Sequence, residues 1–165
     1  MSKVYSLYSK QHIPKPLEEV WGFFSDARNL LRITPPHLNL KVTNAVYGES
    51  VYAGQVMTYN VKPLLGIPLG WMTEITHIEP LKYFVDEHRK GPYKLWHHQH
   101  HFKAIEGGTE MVDLVHYRLP FGIIGNITNS LLVKDELRKI FSYRYGKIIE
   151  FFGKWEGEKM GVVIQ

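Results

Sequence analysis

Gly91-Pro-Tyr-Lys-Leu-Trp-His-His-Gln-His-His-Phe102 sets the architecture of this chain. The segment opens on a Gly-Pro turn signal, and four of the nine histidines fall in five consecutive positions within it. In a strand, successive side chains point to opposite faces. Trp96, His98, His100 and Phe102 then share one face, and Leu95, His97, Gln99, His101 and Lys103 share the other. The second set is too polar for a core. The first therefore faces inward, and His97 and His101 are expected in solvent.

The flanking runs repeat this period of two. Lys82–His88 aligns Phe84, Asp86 and His88, and Glu110–Leu119 aligns Met111, Asp113, Val115 and Tyr117. Glu79-Pro80 and Glu106-Gly107-Gly108 are turn signals, so the neighbours are antiparallel hairpins. Gly54–Lys62 and Gly70–Ile78 also alternate, placing Tyr59 and Trp71 on inward-facing sets, and His37–Val46 reads as a further strand. Residues 2–13 form the first strand, ended by Pro14 and Pro16. Pro16 suits the first turn of a short helix carrying Leu17, Val20, Trp21 and Phe24. Ser25 or Asp26 can cap a second short helix, which Pro35-Pro36 breaks.

Thr128 to about Trp155 is the longest helical pattern, with Val133, Leu137, Ile140, Phe141 and Ile148 in its stripe. It would be about 40 Å long at 1.5 Å per residue. Arg144 falls inside the stripe, and a buried guanidinium needs a partner. Asp113 and Asp86 are the candidates. Lys62–Gly70 and Pro120–Gly125 read as apolar loops broken by Pro and Gly. The chain past Gly157 is expected to fray, giving a domain over residues 1–157 and a tail over 158–165.

At 165 residues the chain can bury one sizeable core. It has no cysteine, which excludes disulfides, thiolate metal sites and thiol nucleophiles. The net charge of +4 is spread without a basic stripe, so no nucleic-acid partner is expected. No apolar run reaches the length of a membrane span, and the opening residues carry no signal-peptide pattern. A cytoplasmic location is the expectation.

The order strand, two short helices, six strands and long helix is the helix-grip layout. The chain resembles the SRPBCC superfamily of START-like, polyketide-cyclase-like and birch-pollen-allergen-like proteins. Within it, the chain is similar to small bacterial ligand-binding members, some described as cell-division-inhibitor-like or as partner domains of sugar-epimerase-like proteins. The resemblance is carried by Ile13–Phe24, Phe84-Val-Asp86, Gly91-Pro-Tyr93, Trp96-x-His98-x-His100-x-Phe102, Gly108–Asp113, Tyr117-x-Leu-Pro-Phe-Gly122 and Ile140–Arg144. His88 departs from it, since Gln is expected there. The resemblance implies an α+β fold in which a curved seven-stranded antiparallel sheet grips the C-terminal helix. It also implies an elongated cavity between them, and ligands such as lipids, sterols, polyketides or plant hormones.

Four readings compete for the inward histidines. His98 and His100 could ligate a metal with a third ligand from Asp86, His88 or Asp113, although Ala104 and Ile105 stand where a cupin-like Glu would follow. They could act as acid and base in a cyclase, dehydratase or hydrolase, oriented by Asp86 or Asp113. They could orient the polar end of an apolar ligand, or they could simply hold sheet to helix. The ligand-orienting reading is preferred, with Asp86, Trp96, His98, His100, Phe102, Asp113, Tyr117, Arg144, Tyr59 and Trp71 as the binding set. It requires no cofactor. The apolar loops around Leu64-Leu65-Gly66-Ile67 and Phe121–Ile124 give a third class, an interaction module touching a membrane surface or a second subunit.

Overall fold

The computed structural model describes residues 3–44, 50–62, 67–120 and 132–165. Strand β1 (Tyr5–Ile13) leads into helix α1 (Leu17–Phe24) and two 3-10 turns, Ala27–Ile33 and Pro36–Leu38. The strands β2 (Lys41–Val42), β3 (Val56–Val61), β4 (Leu69–Glu79), β5 (Tyr83–Lys90), β6 (Leu95–Ile105) and β7 (Gly108–Arg118) follow. Helix α2 (Lys134–Phe152) and strand β8 (Gly161–Ile164) close the chain. The strands form one antiparallel sheet in the order β2-β3-β4-β5-β6-β7-β1-β8.

Alternation governs the central strands. On β6, Trp96, His98, His100 and Phe102 are buried, and on β7 so are Met111, Asp113, Val115 and Tyr117. The tight β6–β7 turn brings Gly108 against β1, where a Cβ would stand 2.1 Å from the Ile13 carbonyl oxygen. Only glycine fits at that distance.

Three expectations need correction. The chain past Gly157 does not fray throughout, because β8 pairs with β1 and makes the sheet eight-stranded rather than seven-stranded. The Glu158 carboxylate accepts from the His12 amide at 2.9 Å and from the Tyr145 hydroxyl at 3.2 Å, while Ile164 is buried. Among the described residues the long helix covers Lys134–Phe152 and ends before Trp155; the expected start at 128–131 lies outside them. It stops at Gly153, whose φ of 97° carries the chain out of the helix. Of the expected strand His37–Val46, the described residues form a strand at Lys41–Val42, since Pro36 starts a 3-10 turn through Leu38; residues 45–46 lie outside the described residues.

The second short helix is the 3-10 turn Ala27–Ile33, capped by the Asp26 carboxylate accepting from the Arg28 amide at 3.0 Å. The loop residues Leu64, Leu65, Gly66 and Phe121–Ile124 lie outside the described residues; Ile67 is exposed. No helix among the described residues is long and apolar enough to cross a membrane.

The interior has two apolar clusters. One gathers Ile13, Trp21, Phe24, Phe102, Met111 and Phe152 where α1 meets the sheet. The other gathers Tyr5, Leu7, Trp96, Tyr117, Leu137 and Phe141 toward the start of α2. Along β6, Trp96 belongs to one cluster and Phe102 to the other, with His98 and His100 between them.

Candidate functional site

Register builds the site. Across β5–β6, Asp86 stands opposite His98; across β6–β7, Asp113 stands opposite His100. The hydrogen bonds run diagonally instead. His98 Nε2 donates to Asp113 Oδ1 at 2.8 Å, and His100 Nε2 donates to Asp86 Oδ2 at 2.9 Å. Diagonal neighbours on one sheet face lie within reach of long side chains. The remaining nitrogens also face carboxylates. His98 Nδ1 is 3.5 Å from Asp86 Oδ2, and His100 Nδ1 is 3.0 Å from Asp113 Oδ1 but out of line for a hydrogen bond. The rings lie 3.8 Å apart, and His100 stacks on Phe84 at 4.2 Å.

Arg144 arrives from α2. Its Nη1 is 3.7 Å from Asp113 Oδ1, an ion pair without a hydrogen bond, and its guanidinium lies over the Phe141 ring at 5.0 Å. Its Nε and Nη1 are buried and have no hydrogen-bond partner among the described residues.

Burial alone would raise both carboxyls. For Asp113 it is outweighed by the contacts and charges of His100 and His98, which hold the group well below the usual carboxylate range. For Asp86 it is outweighed by the charge of His98, the hydrogen bond from His100 and the charges of His100 and Arg144. Burial and then the His100 charge push His98 below the ordinary imidazole value. For His100, burial is overcome by its contacts with Asp113 and Asp86, and the ring is held above that value. The two rings and two carboxylates are close enough to titrate as one unit.

A cavity of about 200 Å³ lies between the sheet and α2. Asp86, Trp96, His98, His100 and Arg144 line it, with Tyr59 and Trp71 from β3 and β4. Burial pushes the Tyr59 phenol far above its ordinary value; a hydrogen bond with Thr73 opposes the shift and the Asp86 charge adds to it.

Three expected members of the binding set lie off this cavity. Phe102 packs edge-on against Trp21 in the α1 cluster. Tyr117 is fully buried and stacks on Tyr5 at 5.5 Å. Asp113 stands behind the histidines, lining a narrow cleft with Ser9, Gln11 and Arg144. All three face inward as alternation requires, but alternation does not say which part of the interior is filled. His88 turns away from the pair and donates from Nε2 to the Tyr93 carbonyl at 2.8 Å.

Glu136 was not in the expected set. It lines the cavity from α2 and pairs with His37 of the 3-10 turn. In sequence, a glutamate in a helix with basic neighbours reads as a solvated face, so nothing singled it out. Asp86, His98 and His100 each offer a ligand atom, and these atoms lie within 4.8 Å of one another, so they are the group of described residues able to hold a metal ion.

No protein-family model matches the sequence, and no curated protein matches it. Solved structures do. Protein CV1439 from Chromobacterium violaceum is similar at a TM-score of 0.67 and 10% identity, over 91% of this chain and 99% of that one. Ara h 8.0201 is similar at 0.59 and 14% identity, over 90% of this chain and 99% of that one. The nucleoside-diphosphate sugar epimerase from Corynebacterium glutamicum is similar at 0.59 and 25% identity, over 87% of this chain but 28% of that protein. These likenesses establish the fold: an antiparallel sheet against a long C-terminal helix, the helix-grip arrangement.

Proposed function

We propose that this chain is a binding protein of the SRPBCC type that takes a small, largely apolar molecule with a polar end into the space between sheet and α2. The observation that carries this reading is Arg144. It borders an apolar cavity, and its Nε and Nη1 have no hydrogen-bond partner among the described residues. Leaving a buried donor unsatisfied costs about 1–3 kcal/mol. An oxygen on the ligand would recover that cost, and the apolar walls would hold the remainder. The volume of about 200 Å³ is an order of magnitude above the roughly 10–15 Å³ that one water needs, so the space can take a small organic molecule.

Native mass spectrometry of protein prepared gently from its own host tests the reading. A retained adduct of a few hundred daltons or less is expected, and its loss in Arg144→Met. Protein that is empty under those conditions counts against a resident ligand.

An acid–base reading stands second. His98 lines the cavity while its Nε2 is held by Asp113, the arrangement of an imidazole oriented by a carboxylate. If the ligand is recovered chemically unchanged after long incubation with the protein, this reading ends.

A further inference from the structure

The two sides of the histidine pair are not equivalent. On one side Asp113 Oδ1 meets His98 Nε2 at 2.8 Å and His100 Nδ1 at 3.0 Å, and Arg144 Nη1 stands 3.7 Å from the same oxygen. On the other, Asp86 Oδ2 meets His100 Nε2 at 2.9 Å and His98 Nδ1 at 3.5 Å. Asp86, His98 and His100 line the cavity, whereas Asp113 does not. We propose that Asp86 Oδ2, His98 Nδ1 and His100 Nε2 bind one divalent transition-metal ion of the zinc class, with the remaining coordination positions open to the cavity.

The spacing fits. Two ligand atoms about 2.1 Å from a shared ion stand about 3.4 Å apart in a tetrahedral site and about 3.0 Å apart in an octahedral one. The separations of 2.9 and 3.5 Å from Asp86 Oδ2 bracket those values. Two imidazoles and one carboxylate select zinc, iron, cobalt or nickel over magnesium and calcium, which take oxygen ligands. Three protein ligands with an open position is the composition of a reactive rather than a closed structural site.

The surroundings complete the pattern. A metal-bound imidazole usually donates its other N–H to a carboxylate, which fixes the tautomer. His98 Nε2 already donates to Asp113, which leaves Nδ1 as its lone-pair nitrogen on the Asp86 side. His100 Nδ1 is within 3.0 Å of the same carboxylate and needs only a small ring rotation to donate to it. The ion would take the place of the proton between His100 Nε2 and Asp86. Arg144 keeps a cation from the Asp113 side and offsets that second carboxylate. One side is thus left for the metal and the other for support. The site does not depend on an organic ligand, so it stands or falls separately from the binding reading above.

The test uses the full chain, stripped with chelator and then titrated with Co²⁺ and afterwards with Zn²⁺. One ion per chain should survive gel filtration, with a Co²⁺ absorption spectrum that Zn²⁺ abolishes. Asp86→Asn and His100→Gln should each weaken binding at least tenfold. Asp113→Asn should keep the stoichiometry but weaken affinity about 10- to 100-fold. The His97→Ala/His101→Ala double variant, altered on the outer face, should bind as the parent does. Imidazole nitrogen NMR of the unsubstituted protein decides the matter if a variant fails to fold. Zn²⁺ should shift the His98 and His100 ring signals. No bound ion after gel filtration, folded Asp86→Asn and His100→Gln variants that bind as the parent does, or shifts confined to surface histidines would overturn the proposal.

Discussion

Asp113 ties the polar cluster together: it accepts from His98, stands 3.0 Å from a His100 nitrogen and balances Arg144, all at one carboxylate oxygen. Removing its charge leaves a buried guanidinium and the imidazole pair with only Asp86 to oppose them. Breaking a buried pair costs about 3–5 kcal/mol. Asp113→Asn should therefore lose about that much stability in urea unfolding. Adding Arg144→Met should return part of the loss, because it removes the stranded cation. Single-variant losses that simply add would show that the two groups are not coupled. The inward placement of His98, His100 and Arg144 was legible from strand alternation and helical angle. The diagonal hydrogen bonding was not, because it depends on the registers Asp86↔His98 and His100↔Asp113 and on side-chain rotamers. The choice of Asp113 over Asp86 as the nearer partner of Arg144 also rests on tertiary placement that no sequence pattern records.

Strand β8 is held by its partners more than by its own propensity. Val162, Val163 and Ile164 are β-branched, yet the whole segment past Gly157 reads in sequence as a frayed tail. Pairing to β1, burial of Ile164 and the Glu158 carboxylate on His12 and Tyr145 decide the outcome. Ending the chain after Gly157 should cost about 4 kcal/mol, from one buried aliphatic side chain and the charged hydrogen bonds of Glu158. A thermal melt of the shortened protein measures it. At the β6–β7 turn, Gly108→Ala puts a methyl group 2.1 Å from the Ile13 carbonyl oxygen. The β1–β7 junction must then spread, at a cost of about 2 kcal/mol. Amide exchange should quicken first at Ile13 and Thr109, which face each other there.

Taken whole, the molecule packs two apolar clusters on one sheet and leaves a polar cluster and a cavity between them. The helix-grip layout was legible because hairpin signals, strand alternation and a C-terminal helical stripe all point to the same arrangement. The extent of the cavity was not, since it depends on how far α2 stands off the strands. The four tryptophans make a built-in reporter. Trp71 and Trp96 line the cavity, Trp21 sits in the α1 cluster, and Trp155 packs near Gly107 at the β6–β7 turn. A titration of the full chain with octanoate and with octanol, followed through the indole N–H signals, tests the binding reading most directly. The Trp71 and Trp96 signals should shift and saturate, more tightly for octanoate than for octanol because Arg144 has donors to offer. Trp155 should stay still. No saturable shift at Trp71 and Trp96, or shifts confined to Trp155, would contradict a ligand site between the sheet and the helix.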